Sequence, residues 1–341
     1  MNPIRLGIIG CGYWGNNYIR SASELDEIDL VACCDVDTDT IEKVKNKYPS
    51  INCTSEPDKF FENPDIEAVC IVTPAGTHAD LTYRALRTGK HVLVEKPFAT
   101  DENFALRLVE LAKSINKLLM VGHIYIYHPA GEKLRKMITN NDLGHIYHIN
   151  CRRTSLGPIR SDVNVAWDLT VHDLYFIMYI LDKKPSQVIA IGIRPENDSK
   201  EEMVEVVLKF PGDTLAHLHA SWLYSLKQRD IVIVGSQASV IFDEINYPGK
   251  LVLIQRGKAK NPESRFQRVS VEGDAKKLID LSGIEPLKNM ILQFAISIRE
   301  GKKPHSTGTD GLEVIRIMKS IENSIALGAI PVSIDKNLSG E

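Results

Sequence analysis

The first 120 or so residues alternate short apolar runs with segments of helical periodicity, and this alternation limits the fold more than any other feature. Runs rich in Val, Ile, Leu and Cys occupy 5–10, 29–37, 66–74, 91–97 and 118–125. Amphipathic segments lie between them at 14–25, 41–49, 77–89 and 103–117. Continuously apolar strands that alternate with helices are typical of a parallel sheet covered on both faces. We therefore predict an N-terminal α/β domain with a doubly wound parallel sheet of the Rossmann type.

The pattern changes after about residue 145. Strand-like segments occupy 145–155, 186–194, 201–210, 214–223, 229–236 and 238–244, with one helix at 166–182 and two closing helices at 285–301 and 309–328. Alternation of period two in EVVLKF and HLHASWL favours an antiparallel sheet with unlike faces. We predict a C-terminal α+β domain with an open, mostly antiparallel sheet. The predicted domains are 1–122 and 123–335, and the C-terminal helices can pack back on the first domain.

Composition limits the classes of function. A chain of 341 residues favours two domains, and a net charge of −3 argues against a nucleic-acid or anionic-membrane binder. No apolar run is long enough to cross a bilayer, and the N-terminus lacks the pattern of a signal peptide. The six cysteines follow no C-x-x-C spacing, so we predict free thiols in a reducing cytoplasm and no metal site.

The segment from Gly10 to Gly15 is a G-x-G-x-x-G motif that follows the first strand and opens a helix. In this context the first glycine allows the tight turn, and Gly12 lets the backbone approach a pyrophosphate. Gly15 allows close packing of helix and strand, with Tyr13 and Trp14 at the variable positions. The free N–H groups of the helix N-terminus then favour the anion. The motif predicts a dinucleotide site; the alternative is a glycine-bearing turn that binds nothing.

An acidic residue at the end of the second strand completes this prediction. Asp35 lies where such a motif places the carboxylate that binds the ribose hydroxyls. The segment after it, VDTDT, contains no arginine to receive a 2′-phosphate. The sequence therefore favours NAD over NADP.

Further polar residues follow other strands of the predicted sheet. In an open parallel sheet, ligands bind at the carboxyl ends of the strands, where Thr73, Pro74, Glu95 and Lys96 fall. The Lys96 ammonium can stabilise a developing alkoxide or exchange a proton with a hydroxyl group. Glu95 can orient that lysine or bind the ribose. The alternative is an ordinary surface ion pair.

Asp168 and His172 form a second candidate group. They are spaced i, i+4 on the predicted helix, so they share one face. A histidine beside a carboxylate is oriented for proton transfer. The alternative is an acidic residue at a helix N-terminus with an unrelated histidine on the same face.

These motifs together resemble the glucose-fructose oxidoreductase, inositol dehydrogenase and MocA (Gfo/Idh/MocA) family of NAD(P)-dependent sugar oxidoreductases. The resemblance covers nearly the whole chain and rests on GIIGCGYWG, TPAGTH, VEKPFA and the D-x-x-x-H spacing at 168–172. It implies that Lys96, Asp168 and His172 are catalytic, with Lys96 or His172 as the base. It also implies a homodimer or homotetramer formed through the open sheet. The cofactor contacts that it implies beyond the glycine loop are Thr73, Pro74, Thr77, His78, Glu95 and Lys96.

A narrower resemblance lies in RRTSLGPIRSDVNVAWDLTVHDLYFIMYIL at 152–181. It is similar to the subgroup that oxidises C3 of UDP-N-acetylglucosamine, or of its uronic acid, to a 3-keto sugar for a later aminotransferase. The implied substrate contacts are Arg152, Arg153, Arg160, Asn164 and His172. The segment Tyr127-His128-Pro129 departs from the Asn-Pro step of many relatives. The alternatives are a free-sugar or inositol dehydrogenase, a deoxysugar 3-ketoreductase, and a non-catalytic NAD-binding regulator.

Overall fold

The computed structural model describes residues 2–160, 163–195, 200–259, 269–281, 283 and 285–334. It consists of two compact units, the first formed by 1–127 with 284–316 and the second by 128–283 with 317–341. The sequence-based boundary at 122/123 thus lies five residues before the division at 127/128. The stretch 284–316, which the sequence-based division put in the second domain with its helices able to pack back on the first, belongs to the first unit.

The first unit contains a six-stranded, all-parallel sheet in the order β3-β2-β1-β4-β5-β6. Its strands are β1 (Ile4–Ile9), β2 (Ile28–Cys34), β3 (Asn52–Thr54), β4 (Ala68–Ile71), β5 (His91–Glu95) and β6 (Leu119–Gly122). The strand order reverses between β1 and β4, which is where an open α/β sheet forms its ligand crevice. The predicted parallel sheet is confirmed. Sequence analysis did not predict the short edge strand β3.

Helices connect these strands and cover the sheet. They are α1 (Tyr13–Ser23), α2 (Thr38–Lys47), α3 (Pro57–Glu62), α4 (His78–Arg87) and α5 (Glu102–Ser114). A further helix of this unit, α8 (Pro286–Glu300), comes later in the chain and contacts α1. Several of their ends follow ordinary capping rules. The side chains of Asp37 and Asp101 accept from backbone N–H groups at the starts of α2 and α5, and Gly89 takes a left-handed conformation after α4. Residues of β4 are buried throughout, as expected for a strand covered on both faces.

The second unit contains a nine-stranded sheet in the order β14-β13-β12-β11-β7-β10-β9-β8-β15. Its strands are β7 (Ile146–Leu156), β8 (Gln187–Ile193), β9 (Met203–Phe210), β10 (Thr214–Ser221), β11 (Leu223–Gly235), β12 (Ala238–Asp243), β13 (Lys250–Ala259), β14 (Val269–Asp280) and β15 (Val332–Ser333). All its pairings are antiparallel except β7 with β10 among the strands described. The mostly antiparallel sheet is confirmed, and β13 and β14 extend it beyond the predicted strands.

Among the residues that the structure describes, two α-helices lie wholly in this unit, and a third spans the chain position at which the two units divide. The helices are α6 (Pro129–Thr139) and α7 (Val171–Leu181), and α9 (Gly308–Ala326) contains the division at 316/317. The one helix predicted among the strands after residue 145 is present as α7, and α6 lies before that stretch, where sequence analysis predicted no element. The buried α6 residues Ala130, Leu134 and Met137 are spaced at helical intervals along one face.

Burial alternates along β9 and β10, so this sheet has unlike faces. Large apolar side chains remain exposed on it, including Ile191 at 56%, Ile193 at 44% and Leu215 at 43%. All six cysteines of the chain are free thiols. Within the ranges described above, no helix has the length and apolar character that a membrane span requires.

Candidate functional site

A cavity of about 820 Å³ opens in the first unit where β1, β2 and β4 end. Eight residues predicted to bind a cofactor line it: Gly10, Gly12, Tyr13, Trp14, Asp35, Thr73, Pro74 and Thr77. We call this cavity the dinucleotide groove. The other predicted cofactor residues, Gly15, His78, Glu95 and Lys96, lie in the same unit but outside this lining.

The three glycines of the loop meet different steric demands. Gly10 has a φ of +93°, and a Cβ on it would lie 2.5 Å from the carbonyl oxygen of Val72. A Cβ on Gly15 would lie 1.9 Å from the carbonyl oxygen of Gly10, whereas a Cβ on Gly12 would meet nothing within 4 Å. The first and third glycines are therefore required by the chain itself, and the second borders the open groove. This is the division of roles that a dinucleotide-binding loop needs.

The N-terminus of α1 is suited to an anion. Its first turn contains no acidic residue, and Gly12 at the N-cap provides no side-chain hydrogen bond. The N–H groups of this turn thus lack the side-chain partners that usually satisfy a helix start. An anionic pyrophosphate is the ligand that such a terminus favours.

Asp35 is held by two backbone N–H groups. That of Cys11 donates to Oδ2 at 2.6 Å and that of Asp37 donates to Oδ1 at 3.0 Å. Each carboxylate oxygen retains capacity for a further donor, such as a ribose hydroxyl. Asp37 and Asp80 also line the groove, and Arg84 in the lining is paired with Asp58. The groove beside Asp35 is therefore predominantly acidic.

Glu95 has an anchoring role that sequence analysis did not identify. The side chain is buried, and its Oε1 accepts from Trp14 Nε1 at 2.8 Å and from the Tyr18 hydroxyl at 2.7 Å. Its Oε2 accepts from the backbone N–H of Lys96 at 3.1 Å. Burial, reinforced by the Glu95 charge, raises the pKa of Tyr18 well above its usual value. Glu95 thus ties the end of β5 to α1, and its contact with a ribose stays a prediction.

Lys96 is half-buried just after β5, and its charge acts on a neighbouring histidine. Burial, with the positive charge of Lys96 as a second cause, lowers the pKa of His123 to about 3. The ring of His123 is therefore neutral at neutral pH. Sequence analysis missed this histidine, although it directly follows β6, the strand paired with β5. Its place at the carboxyl end of a parallel strand was the available indication.

The second unit presents Asp168 and His172 on one continuous helical segment. The turn Ala166–Thr170 is a π-helix that leads directly into α7, and such turns are frequent at functional sites. Both side chains are half-buried. Arg160 Nη1 donates to Asp168 Oδ1 at 3.1 Å, so a predicted substrate residue meets a predicted catalytic residue.

The other predicted substrate residues of this unit have structural partners. Arg153 is buried and forms a bidentate ion pair with Asp173, with Nη2–Oδ1 at 2.6 Å and Nε–Oδ2 at 3.1 Å. Asn164 donates from Nδ2 to Glu201 Oε2 at 2.8 Å and accepts from the backbone N–H of Trp167 at 3.1 Å. Both residues thus hold the helical segment that carries Asp168 and His172, and their contact with a substrate stays a prediction. Arg152 forms a bidentate ion pair with Asp230.

Sequence analysis missed three carboxylates that support this segment. They are Asp173, Glu201 and Glu322, the last of which accepts from Trp167 Nε1 at 2.6 Å. Their partners lie 20, 37 and 155 residues away along the chain. No local spacing in the sequence could therefore have paired them.

Two family models match the chain. The model described as "Oxidoreductase family, NAD-binding Rossmann fold" matches residues 4–123. The model described as "GFO/IDH/MocA C-terminal domain" matches residues 132–241. The two matches together cover more than half of the chain.

Curated relatives resemble the chain over most of its length. Myo-inositol 2-dehydrogenase of Thermotoga maritima is 26% identical over 320 residues, which cover 90% of this chain and 92% of the relative. UDP-N-acetylglucosamine 3-dehydrogenase of Acidithiobacillus ferrooxidans is 26% identical over 316 residues, covering 92% and 95%. A solved structure of the latter enzyme matches with a TM-score of 0.81 at 23% identity, covering 97% of this chain and 100% of that one. This structural match shows a shared fold.

Proposed function

Because the chain belongs to the GFO/IDH/MocA family of NAD-binding oxidoreductases, we propose that it oxidises C3 of a UDP-linked N-acetylamino sugar to a 3-keto sugar. The observation that carries the substrate class is the position of Arg160. Its guanidinium contacts the proposed catalytic Asp168 while 37% of its side chain stays exposed. A guanidinium is well suited to bind a diphosphate or a uronate carboxylate. The similarity to a UDP-N-acetylglucosamine 3-dehydrogenase supports the same class.

We propose NAD as the cofactor. The dinucleotide groove has the glycine loop and the uncapped helix N-terminus that a pyrophosphate requires, and Asp35 is placed to accept from ribose hydroxyls. Asp37 and Asp80 would repel the 2′-phosphate of NADP. When bound, the nicotinamide accepts the hydride that leaves the sugar carbon.

The protein's own residues manage the hydroxyl proton. Lys96 or His172 accepts it as the hydride leaves. Asp168 orients His172 on the same helical segment, and Arg160 places the anionic part of the substrate. The same residues serve the reverse reaction, in which a keto sugar is reduced. This division of roles is part of the proposal.

We also propose that a second copy of the chain covers the exposed face of the nine-stranded sheet. Ile191, Ile193 and Leu215 are exposed, and the strand register places all three on one face of this sheet. Exposed apolar patches of this kind mark interaction sites. Covering them would give a homodimer or a homotetramer. Light scattering coupled to gel filtration measures the mass directly, and Leu215→Glu should lower it. A monomeric wild-type protein would contradict this part of the proposal.

A second candidate function is the oxidation of a free polyol. The myo-inositol 2-dehydrogenase of Thermotoga maritima is as similar to this chain as the UDP-sugar enzyme is, at 26% identity. Such a substrate carries no phosphate, so Arg160 would have no role in binding it. A non-catalytic NAD-binding regulator is disfavoured because Lys96, Asp168 and His172 are all present.

The test is absorbance at 340 nm with NAD and four substrates: UDP-N-acetylglucosamine, its uronic acid, glucose and myo-inositol. NADH formed only with a UDP-sugar supports the first proposal, and NADH formed only with a free polyol or sugar supports the second. The assay is repeated with 2-oxoglutarate, because an enzyme that retains NADH needs a second substrate to turn over; the keto sugar is then measured by mass spectrometry, since 2-oxoglutarate reoxidises the NADH. Failure in both formats would contradict both oxidations.

A further inference from the structure

His78 lies between two backbone carbonyl groups in the first unit. It is the first residue of α4 and only 2% exposed. Its Nδ1 is 2.8 Å from the carbonyl oxygen of Pro97, and its Nε2 is 2.7 Å from the carbonyl oxygen of Thr73. Thr73 lines the dinucleotide groove, whereas Pro97 directly follows Lys96. One buried ring thus contacts both the groove and the segment that carries the proposed catalytic lysine.

The chemistry of this contact is unusual because both partners only accept hydrogen bonds. A neutral imidazole has one N–H donor, so it can donate to one of the two carbonyl groups at a time. The charged side chains near the ring are Glu95 and Lys96. Burial is the main cause that lowers the pKa of His78, and it outweighs the two carbonyl groups and Glu95, which raise it. At neutral pH the ring therefore carries one proton that two carbonyl groups compete for.

The turn that receives one of these contacts is itself ordered by hydroxyl groups. The Oγ1 atoms of Thr73 and Thr77 are 2.7 Å apart, and Thr77 Oγ1 donates to the carbonyl oxygen of Pro74 at 2.8 Å. All three residues line the groove. A cofactor that contacts this turn therefore changes how strongly the carbonyl oxygen of Thr73 competes for the His78 proton. The other carbonyl group, at Pro97, belongs to the Lys96 segment.

We propose that His78 is a positioning residue that couples the dinucleotide groove at Thr73 to the placement of Lys96 through Pro97. Its assignment to catalysis rests on the proposed function, because only that function gives Lys96 a chemical role. The coupling itself is a property of the ring and its two carbonyl partners. In this role His78 lies behind the lining of the dinucleotide groove, whereas the resemblance implied that it contacts the cofactor directly.

Two amide substitutions separate the two hydrogen bonds. The side-chain nitrogen of asparagine lies close to the position of histidine Nδ1, and that of glutamine lies close to the position of Nε2. His78→Asn therefore keeps a donor toward Pro97, and His78→Gln keeps a donor toward Thr73. We expect His78→Gln to bind NAD within about threefold of wild type and to lose about 10- to 100-fold in kcat, because small misplacements of a catalytic group are costly. We expect His78→Asn to keep most of kcat and to raise the Kd for NAD about tenfold.

A readout without turnover keeps this test separate from that of the proposed function. Competitive labelling with acetic anhydride, analysed by mass spectrometry, reports the reactivity of Lys96 as a function of pH. His78→Gln should shift the pH profile of Lys96 labelling, and His78→Asn should leave it as in wild type. The control is His91→Gln, which replaces a partly buried ring at the opposite end of β5 and should change neither readout. If the wild-type enzyme oxidises no sugar, the labelling and NAD-binding measurements still decide the role of His78.

Equal effects of the two amide variants on NAD binding and on Lys96 labelling would overturn the proposal. A ring with a merely structural role would not make one variant affect NAD binding and the other affect Lys96. If neither variant folds, the wild-type ring is read directly by ¹⁵N NMR of labelled histidine. Saturating NAD should then change the shift difference between Nδ1 and Nε2 of His78. Unchanged shifts would overturn the coupling.

Discussion

Replacing Arg153 by alanine should destabilise the second unit more than any surface change. The Arg153 and Asp173 side chains are only 7% and 4% exposed, and two hydrogen bonds join them. Removing the guanidinium leaves the Asp173 carboxylate buried without its cation, which costs about 3–5 kcal/mol in comparable sites. This is a large share of the 5–15 kcal/mol by which domains of ordinary stability stay folded.

The cost of the unpaired Asp173 charge can be separated from the cost of lost packing. Replacing both partners, in Arg153→Met with Asp173→Leu, removes both buried charges and should recover most of the stability, because buried ion pairs are often matched by apolar residues. A double-mutant cycle should therefore give a coupling energy of about 2–3 kcal/mol. The exposed ion pair of Lys136 with Glu132 lies in the same unit and provides the control. Lys136→Ala should leave the unfolding free energy unchanged within error.

Urea unfolding followed by tryptophan fluorescence is the appropriate assay, because Trp167 and Trp222 are both buried in the second unit. The change in the urea concentration at the unfolding midpoint, multiplied by the m-value, gives the loss of unfolding free energy for each variant. The reasoning is refuted if Arg153→Ala unfolds like wild type but binds a UDP-sugar weakly. That result would mean that the guanidinium serves the substrate, as the resemblance implied, and that the ion pair with Asp173 contributes little.

Three further predictions test the proposed chemistry and the stability of the first unit. Lys96→Ala and His172→Ala should each lower kcat by about 10²–10⁴-fold with NAD binding retained, and near-normal turnover of either variant would remove that residue from the mechanism. Asp35→Ala should raise the Kd for NAD by about tenfold in a fluorescence titration, and an unchanged Kd would exclude the ribose contact. The Arg299 guanidinium is the main cause that lowers the pKa of Glu67 to about 2. The stabilisation from this depressed pKa is complete above the ordinary value of 4.5 and lost as the pH falls toward 2, so the stability gap between wild type and Glu67→Gln should close over that window in acid unfolding.

The first unit was predicted well because the sequence features that define it lie close together in the chain. Apart from β3, each strand of the parallel sheet lies in an apolar run, and the G-x-G-x-x-G motif lies between a strand and a helix that are adjacent in the chain. The short strand β3 was missed because its three residues, Asn-Cys-Thr, form no apolar run. Helix α6 was missed although its spacing of Ala130, Leu134 and Met137 was available.

The second unit was harder to predict because its partners are distant in sequence. The strand β10 lies between β7 and β9 and pairs in parallel with β7, which no alternation of polar and apolar residues reveals. The same limit applies to the site. Arg153 and Asn164 were predicted as substrate contacts because they precede the helical segment that carries Asp168 and His172, and their buried partners Asp173 and Glu201 became visible only in the folded chain.

Each of the two proposed proton acceptors lies next to a carboxylate in the sequence. Glu95 directly precedes Lys96, and Asp173 directly follows His172. In each pair the carboxylate is buried and bonded to another element of its own unit: Glu95 to α1 and Asp173 to β7. In each pair, one half-buried side chain is the proposed proton acceptor. The buried carboxylate next to it in the sequence fixes the backbone of that acceptor. A catalytic group must be held within a fraction of an ångström of its working position. Buried carboxylates that anchor the backbone next to both proposed acceptors therefore support the proposed chemistry more strongly than an anchor next to only one of them would.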